Sequence, residues 1–182
     1  MNKLIKIIWL LLLVITANNN PCFSQRSDED GDNSYPALYT AFGLGFDFGG
    51  IGAKIELFPI KYAGIFAGGG HNFDNIAYNV GVKVIPFTTK NMGVYLTGMY
   101  GYNSVVIVIK APSYNKTGYG FSFGVGSEIY LKEGKSLQVG SLIPIRSLPF
   151  KNHIESLKKN PNISLTAPVL PFVLTIGLKI RV

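Results

Sequence analysis

Regular alternation of side-chain character is the feature that most constrains this chain. From residue 37 to the C-terminus, large apolar residues recur at every second position, separated by small, polar or charged ones. In residues 76–84, for example, Ile, Tyr and Val alternate with Ala, Asn, Gly and Lys. A period of two is typical of β-strands whose two faces meet different surroundings. The sequence therefore predicts eight strands, of which only the third, residues 62–71, has no assignable face because both parities are small or apolar.

These strands favour a closed barrel with its apolar face outward. Their length of about ten residues matches the roughly 9 to 11 residues of a tilted strand that crosses a membrane. We expect an all-β, eight-stranded antiparallel up-and-down transmembrane β-barrel, with apolar residues toward lipid and small, polar and charged residues toward a narrow lumen. The outward set includes Phe46 and Tyr102. A soluble barrel would have the reverse arrangement.

The N-terminal segment has the organisation of a secretory signal peptide. Two lysines precede an unbroken apolar run over residues 7–15, which is too short for a membrane-spanning helix. Small residues favour cleavage after Ser24. The predicted organisation is a signal peptide (1–24), an acidic periplasmic tail (25–36) and an outer-membrane barrel (37–182).

Composition agrees with this class and excludes others. Hydrophobic residues make up 47% and charged residues 15% of the chain, and the mean hydropathy is +0.26. Disordered chains have low hydrophobicity and many charges, so disorder is excluded. The net charge of +7 comes without a basic run interleaved with aromatic residues, so we expect no nucleic-acid partner.

Four short sequence features suggest chemistry, but none has the context that the chemistry needs. Residues 120–124 spell G-x-S-x-G within continuous strand alternation, whereas a hydrolase nucleophile lies on a sharp strand-to-helix turn. Residues 28–33 resemble the start of a calcium loop, but the twelfth position is Tyr39, which has no carboxylate. Outer-membrane lipases pair a serine with a nearby histidine on one strand, but neither histidine of this chain has a serine two residues later. The glycine pair at 43 and 45 leads into another strand and not into a helix, so it does not form a phosphate-binding loop. We therefore predict no catalytic residues, no metal site and no cofactor.

The C-terminal strand carries a specific resemblance. Thr175, Gly177, Ile180 and Val182 follow the polar-x-Gly-x-x-apolar-x-apolar order of the assembly signal of outer-membrane β-barrels, although Val replaces the usual terminal aromatic residue. The chain resembles the small eight-stranded barrels of the OmpA/OmpX kind, and its Gly- and Tyr-rich hairpins are similar to a barrel-domain family common in Bacteroidetes. This resemblance implies export to the bacterial outer membrane, contact with its lipids and recognition by the barrel-assembly machinery. It implies little about function.

Strand direction predicts a charged layer in the lumen. An even strand number places both termini in the periplasm, so the even strands run toward it and their later residues lie near that rim. Four cations and two carboxylates occupy inward positions in those later parts. They are Lys54, Glu56, Lys83, Glu128, Lys179 and Arg181. We expect the two carboxylates to bridge the cations into an ionic network that closes the lumen to ion flow. A cation-lined path for anions is the alternative.

The last connection is a candidate surface-binding loop. Residues 151–159 are expected to form an irregular loop, with one or two helical turns as the alternative, because short isolated helices are marginal. The candidate binding residues are Lys151, His153, Lys158 and Lys159. Their charge suits lipopolysaccharide phosphates or acidic glycans. The alternative is a solvated loop, because three lysines are an ordinary number for a surface. The sequence does not name the surface ligand.

These features favour a non-enzymatic outer-membrane barrel with a structural or surface-binding role. Two alternatives remain open. One is an outer-membrane enzyme that modifies lipid, which needs a Ser/His pair at the lipid boundary. The other is a secreted soluble barrel that binds an apolar ligand, which needs polar residues where the strands place Val, Phe, Ile and Leu.

Overall fold

A computed structural model describes residues 35–108, 112–159 and 170–182. The predicted signal peptide and all but the last two residues of the predicted acidic tail lie outside the described residues. The described chain forms a closed antiparallel barrel in which each strand pairs with its sequence neighbours and the last strand pairs with the first. The prediction of an eight-stranded antiparallel barrel is confirmed.

The strands are nine to fifteen residues long. They are β1 (Ala37–Gly45), β2 (Gly50–Ile60), β3 (Ala63–His71), β4 (Ile76–Thr88), β5 (Met92–Val106), β6 (Lys116–Tyr130), β7 (Lys135–Pro144) and β8 (Val173–Arg181). Two single-turn 3-10 helices, Phe46–Phe48 and Pro112–Tyr114, and one α-helix, α1 (Leu148–Lys159), lie in the described connections. No helix in the described ranges is long and apolar enough to span a membrane.

The two ends of the barrel differ in their connections. Both ends of the barrel sequence, Ala37 and Arg181, lie at the same end as the short β2–β3, β4–β5 and β6–β7 turns, and we call this the terminal end. The other four connections lie at the opposite end, which we call the loop end. The β5 and β6 strands, at 15 residues each, are the longest, so their hairpin extends furthest at the loop end.

Alternation sets the two faces of most strands as predicted. On β2, Lys54 and Glu56 are buried while Ile55 between them is 56% exposed. The third strand, which the sequence left unassigned, places Phe66 inside at 5% exposure and Ile65 outside at 55%. A buried aromatic residue beside glycines at the same parity explains why the pattern was ambiguous, since neither face is polar.

Two outward assignments were wrong. Phe46 is buried because β1 ends at Gly45, whose φ of 140° turns the chain inward into the first 3-10 helix. Tyr102 is buried because the β5–β6 register shifts between Tyr102 and Ser104, next to Gly101 with a φ of 147°. An extra residue in one strand of a ladder exchanges the faces of the residues around it. The alternation of apolar and polar residues along the sequence does not reveal such a register shift.

The last connection contains an α-helix where an irregular loop was expected, and this helix is longer than the alternative of one or two turns. It covers Leu148–Lys159 rather than one or two turns within 151–159. Phe150, Ile154 and Leu157 recur at helical spacing and pack in one cluster with Val106 and Val108 at the end of β5. Burial of such side chains stabilises by about 1.5 to 3 kcal/mol each. Tertiary packing therefore supports a helix whose local sequence is only marginally helical.

Candidate functional site

Six charged side chains meet in the lumen and balance one another. We call this group the ionic layer: Asp47, Lys54, Glu56, Lys83, Glu128 and Lys179. Each side chain is 7% exposed or less. Three ammonium groups face three carboxylates, so the layer has no net charge when all six are ionised. The predicted buried ionic network is present inside the barrel.

Glu56 and Glu128 are the centre of the layer. The Lys83 Nζ lies 2.6 Å from Glu56 Oε1 and 3.0 Å from Glu128 Oε1. The Lys179 Nζ lies 2.9 Å from Glu128 Oε2 and 3.4 Å from Glu56 Oε2. Two lysines from β4 and β8 thus bridge the same two carboxylates from β2 and β6. Charges buried in this way stabilise a fold only when such bridging compensates the loss of hydration.

Lys54 connects this centre to the β1–β2 connection. Its Nζ lies 3.0 Å from Glu56 Oε1 and 2.7 Å from Asp47 Oδ2. The amide of Gln138 on β7 completes the network, because its Nε2 donates to Glu56 and Glu128 at 3.0 to 3.3 Å and its Oε1 accepts from Lys54 at 3.0 Å. The layer therefore ties β2, β4, β6, β7 and β8 together across the lumen.

Every lysine of the layer also faces an aromatic ring. The Nζ of Lys54 lies 4.4 Å from the ring centre of Phe48, and that of Lys83 lies 4.6 Å from Tyr95. The Nζ of Lys179 lies 4.2 Å from the ring centre of Tyr39. Cation–π attraction is strongest where water is excluded, so these rings add to the compensation of the buried ammonium groups.

Among the six residues of the predicted network, Arg181 lies at the rim of the barrel and not within the ionic layer. It is partly exposed and lines a cleft at the terminal end, together with Lys179 and Glu128 from the ionic layer. We call this the terminal cleft. Its position explains the exposure, since Arg181 is the last residue of β8 and lies at the rim of the barrel.

A second layer fills the lumen toward the loop end. The first 3-10 helix, Phe46–Phe48, folds into the barrel with all three residues buried, and we call it the plug. Phe46 packs in a cluster with Phe66, Met99, Tyr102 and Leu142 and meets the Tyr102 ring edge to face at 4.9 Å. Met99 also lies inside, and aromatic rings occupy much of the lumen where small side chains were expected.

Hydrogen bonds hold the plug in place. Asp47 accepts from the Thr175 hydroxyl as well as from Lys54, and the Asn79 amide donates to the Phe46 carbonyl oxygen. Gly177 on β8 faces the Phe48 ring so closely that a Cβ there would overlap it. Two residues of the predicted assembly signal, Thr175 and Gly177, therefore have a packing role in this fold. Ile180 is half-buried and Val182 is 74% exposed at the terminal end.

Sequence reasoning missed two polar members of this site. Gln138 has the inward parity of the seventh strand and was overlooked because only charged residues were considered. Asp47 has the inward parity of the first strand, but a straight strand would place it at the far end from the other charges. Only the inward turn at Gly45 brings it to Lys54, and no sequence pattern signals that turn.

The predicted binding residues of the last loop lie on α1 and not in an open loop. Lys151, Lys158 and Lys159 are exposed. The His153 Nε2 donates to the carbonyl oxygen of Tyr114 at 2.9 Å, which links α1 to the β5–β6 connection. The histidine thus has a local structural contact, while the lysines are directed to solvent.

Two charged groups outside the strands have shifted pKa values. The hydrogen bond and charge of Lys135 lower the pKa of the Glu133 carboxyl in the β6–β7 turn. Partial burial lowers the pKa of the Arg146 guanidinium, which donates to the Leu170 carbonyl oxygen. Arginine remains charged under all ordinary conditions, so this burial fixes a cation at the loop end.

The remaining motifs show no reactive arrangement in the described ranges. Ser122 lies inside β6, and its buried hydroxyl has no hydrogen-bond partner among the described residues. Within the same ranges, no three His, Cys, Asp or Glu side chains group in a way that could hold a metal ion. The stretch that resembles the start of a calcium loop, residues 28–33, lies outside them.

Comparison with known proteins adds no family. No protein-family model matches the chain, and no curated protein sequence is significantly similar to it.

Proposed function

We propose that this chain is a non-enzymatic barrel of the bacterial outer membrane, with a structural or surface-binding role through its outer loops and a lumen closed by the ionic layer. One observation carries the proposal: the apolar face of the barrel is outside and the charged face is inside. A soluble protein buries its large apolar residues and exposes its charges. The reverse distribution is the arrangement of a barrel whose outer solvent is lipid.

The apolar exterior is continuous around the barrel. Every strand has a large apolar side chain that is more than half exposed. They are Phe42, Ile55, Ile65, Val80, Leu96, Phe123, Ile143 and Leu174. Monomeric soluble proteins rarely expose apolar patches beyond a few hundred Å². A band contributed by all eight strands favours a membrane environment over the soluble barrel that binds an apolar ligand.

The lumen supports a structural role over transport. The ionic layer and the plug place paired charges and aromatic rings across the interior of an eight-stranded barrel, which is narrow enough for side chains to fill. We expect no steady conductance from the unmodified protein in planar-bilayer recordings. A steady anion-selective current would contradict closure and favour the cation-lined path.

The loop end is proposed to face the cell exterior, with the terminal end in the periplasm. In this orientation the exposed lysines of α1 lie beside the outer leaflet, where lipopolysaccharide carries phosphates. The C-terminal strand is then proposed to be recognised by the barrel-assembly machinery through Thr175, Gly177, Ile180 and Val182. The position of Ser122 within a strand supports the non-enzymatic proposal over lipid modification.

Arginine substitutions at two depths test the membrane proposal. Val80 lies at the middle of β4, whereas Ile76 lies at its loop end, and both are exposed. Val80→Arg should cost about 2 to 4 kcal/mol in folding into lipid vesicles, because a cation at the bilayer midplane is poorly solvated. Ile76→Arg on the same strand should cost about 0 to 1 kcal/mol near the interface. Urea titration of vesicle-folded protein measures both, and equal costs would contradict a membrane location.

Neutralised lysines test the surface role separately. The variant Lys151→Gln/Lys158→Gln/Lys159→Gln should lose binding to lipopolysaccharide-containing vesicles while it folds normally, because these side chains are exposed. Lys90→Gln/Lys132→Gln removes two exposed lysines at the terminal end and is the matched control. Equal binding by both variants would exclude α1 as the lipopolysaccharide contact.

A further inference from the structure

A lysine recurs in each of the three short turns at the terminal end. Lys61 lies in the β2–β3 turn, Lys90 in the β4–β5 turn and Lys132 in the β6–β7 turn, and we call them the turn lysines. Lys90 and Lys132 are exposed, and Lys61 is partly exposed. Within the described part of the chain, none of the three forms an ion pair. Their charges are therefore available to an external anion.

Each turn lysine lies close to the apolar exterior of the barrel. Within three residues of each there is a large apolar side chain that is at least half exposed. These side chains are Ile60, Phe87 and Leu131. A lysine packs its aliphatic stem along apolar surface while its ammonium group reaches a polar layer. An apolar contact beside a cation therefore suits the boundary between hydrocarbon and lipid headgroups.

The turn lysines are spread around the barrel and not gathered at one point. Their turns join the second strand to the third, the fourth to the fifth and the sixth to the seventh, in a closed barrel of eight. Cations distributed in this way suit a planar array of separate phosphates better than one compact anion. The exposed lysines of α1, by contrast, lie on a single helix at the loop end. In a membrane, the two sets would therefore meet opposite leaflets.

We infer that the turn lysines bind the headgroups of anionic phospholipids in the leaflet at the terminal end, and so give the barrel a preference for these lipids. Ammonium groups close to a membrane surface attract anionic headgroups over about one Debye length. The inference rests on the proposed membrane location. It does not use Lys135, which pairs with Glu133, or Arg181, which has contacts of its own.

Spin-labelled lipids test the inference in phosphatidylcholine vesicles that contain the folded protein, residues 25–182. Electron paramagnetic resonance measures the fraction of labelled lipid whose motion is restricted by contact with the barrel. Labelled phosphatidylglycerol should associate several-fold more strongly than labelled phosphatidylcholine with the same acyl chains. In about 1 M salt, where charges are screened beyond about 3 Å, most of this difference should be lost. This protein includes the four carboxylates of residues 28–32, so the preference is measured against the chain's own acidic residues.

Matched variants locate the preference on the barrel. Lys61→Gln/Lys90→Gln/Lys132→Gln should lose most of it, whereas Lys61→Arg/Lys90→Arg/Lys132→Arg keeps the charges and should retain it. The triple glutamine variant of α1 removes the same charge from the opposite end and should retain the greater part of the preference. A preference that survives in the glutamine variant of the turn lysines, or no preference in the unmodified protein, would overturn the inference.

Failure of this inference and failure of the membrane location give different results. The titrations of Val80→Arg and Ile76→Arg can be made in vesicles of phosphatidylcholine alone, where no anionic lipid is present. The expected difference between these two variants, together with equal association of both labelled lipids, would overturn the inference and leave the membrane location standing. No restricted fraction for either labelled lipid would overturn both.

Discussion

The ionic layer and the plug fill the same lumen, yet only the ionic layer follows the alternation of residue types along the strands. The ionic layer is built mainly from residues on regular strands, whose inward parity follows from alternation. The plug is built from a connection that leaves the ladder at Gly45 and turns inward. Lys54 joins them, since it contacts Glu56 on one side and Asp47 on the other. A barrel interior can therefore be predicted as far as its strands are regular, and no further.

Removal of one lysine from the ionic layer separates charge compensation from simple packing. Lys83→Ala leaves Glu56 and Glu128 with less buried positive charge and should lower the free energy of unfolding by about 3 to 5 kcal/mol. Urea titration of the folded protein in detergent or lipid measures it.

The matched control removes opposite charges together. Lys83→Met/Glu56→Gln keeps two cations and two carboxylates in the layer and should cost less than Lys83→Ala, because a balanced neutral replacement of a buried ion pair is often tolerated. A larger loss in the double variant would show that packing volume, not charge, dominates this layer.

A glycine substitution tests the plug. Gly177→Ala places a Cβ against the Phe48 ring and should cost about 1 to 3 kcal/mol by overpacking. In a Phe48→Ala background the ring is absent, so the same glycine change should cost much less. This double-mutant cycle isolates the contact between β8 and the plug. Additive costs would mean that Gly177 is required for a reason other than Phe48, including its proposed part in assembly recognition.

The difference between the two layers also explains how far sequence reasoning reached. Lys54, Glu56, Lys83, Glu128 and Lys179 lie inside because each has the inward parity of a continuous strand. The alternation of residues 42–47 continues unchanged through the end of β1, so the pattern itself hides the inward turn that buries Phe46 and Asp47.

The same physical reason accounts for the other departures. Tyr102 changes face because of a register shift, which is set by the pairing of two strands and not by either sequence alone. The helix α1 gains its length from Val106 and Val108, which are distant in sequence. Long-range pairing and packing are the contributions that a local pattern omits.

The exposed Lys135–Glu133 pair in the β6–β7 turn tests how much burial matters to an ion pair in this barrel. The Lys135 Nζ and Glu133 Oε2 are 2.7 Å apart, nearly the same distance as in the buried Lys83–Glu56 pair, but Glu133 is 77% exposed. Exposed pairs contribute little because water and salt screen them. Glu133→Gln should therefore change the urea midpoint at pH 7 far less than Lys83→Ala does.

The pH dependence of this exposed pair has a defined sign. Contact with Lys135 lowers the pKa of Glu133 in the folded protein, so its contribution is complete above the unfolded-state pKa of about 4.3. It is lost as the pH falls through the lower folded-state pKa. Unmodified protein and Glu133→Gln should thus differ slightly at pH 6 and converge in acid, in a series of urea titrations at low salt. A difference as large as that caused by Lys83→Ala would mean that distance, and not burial, determines how much an ion pair stabilises this barrel.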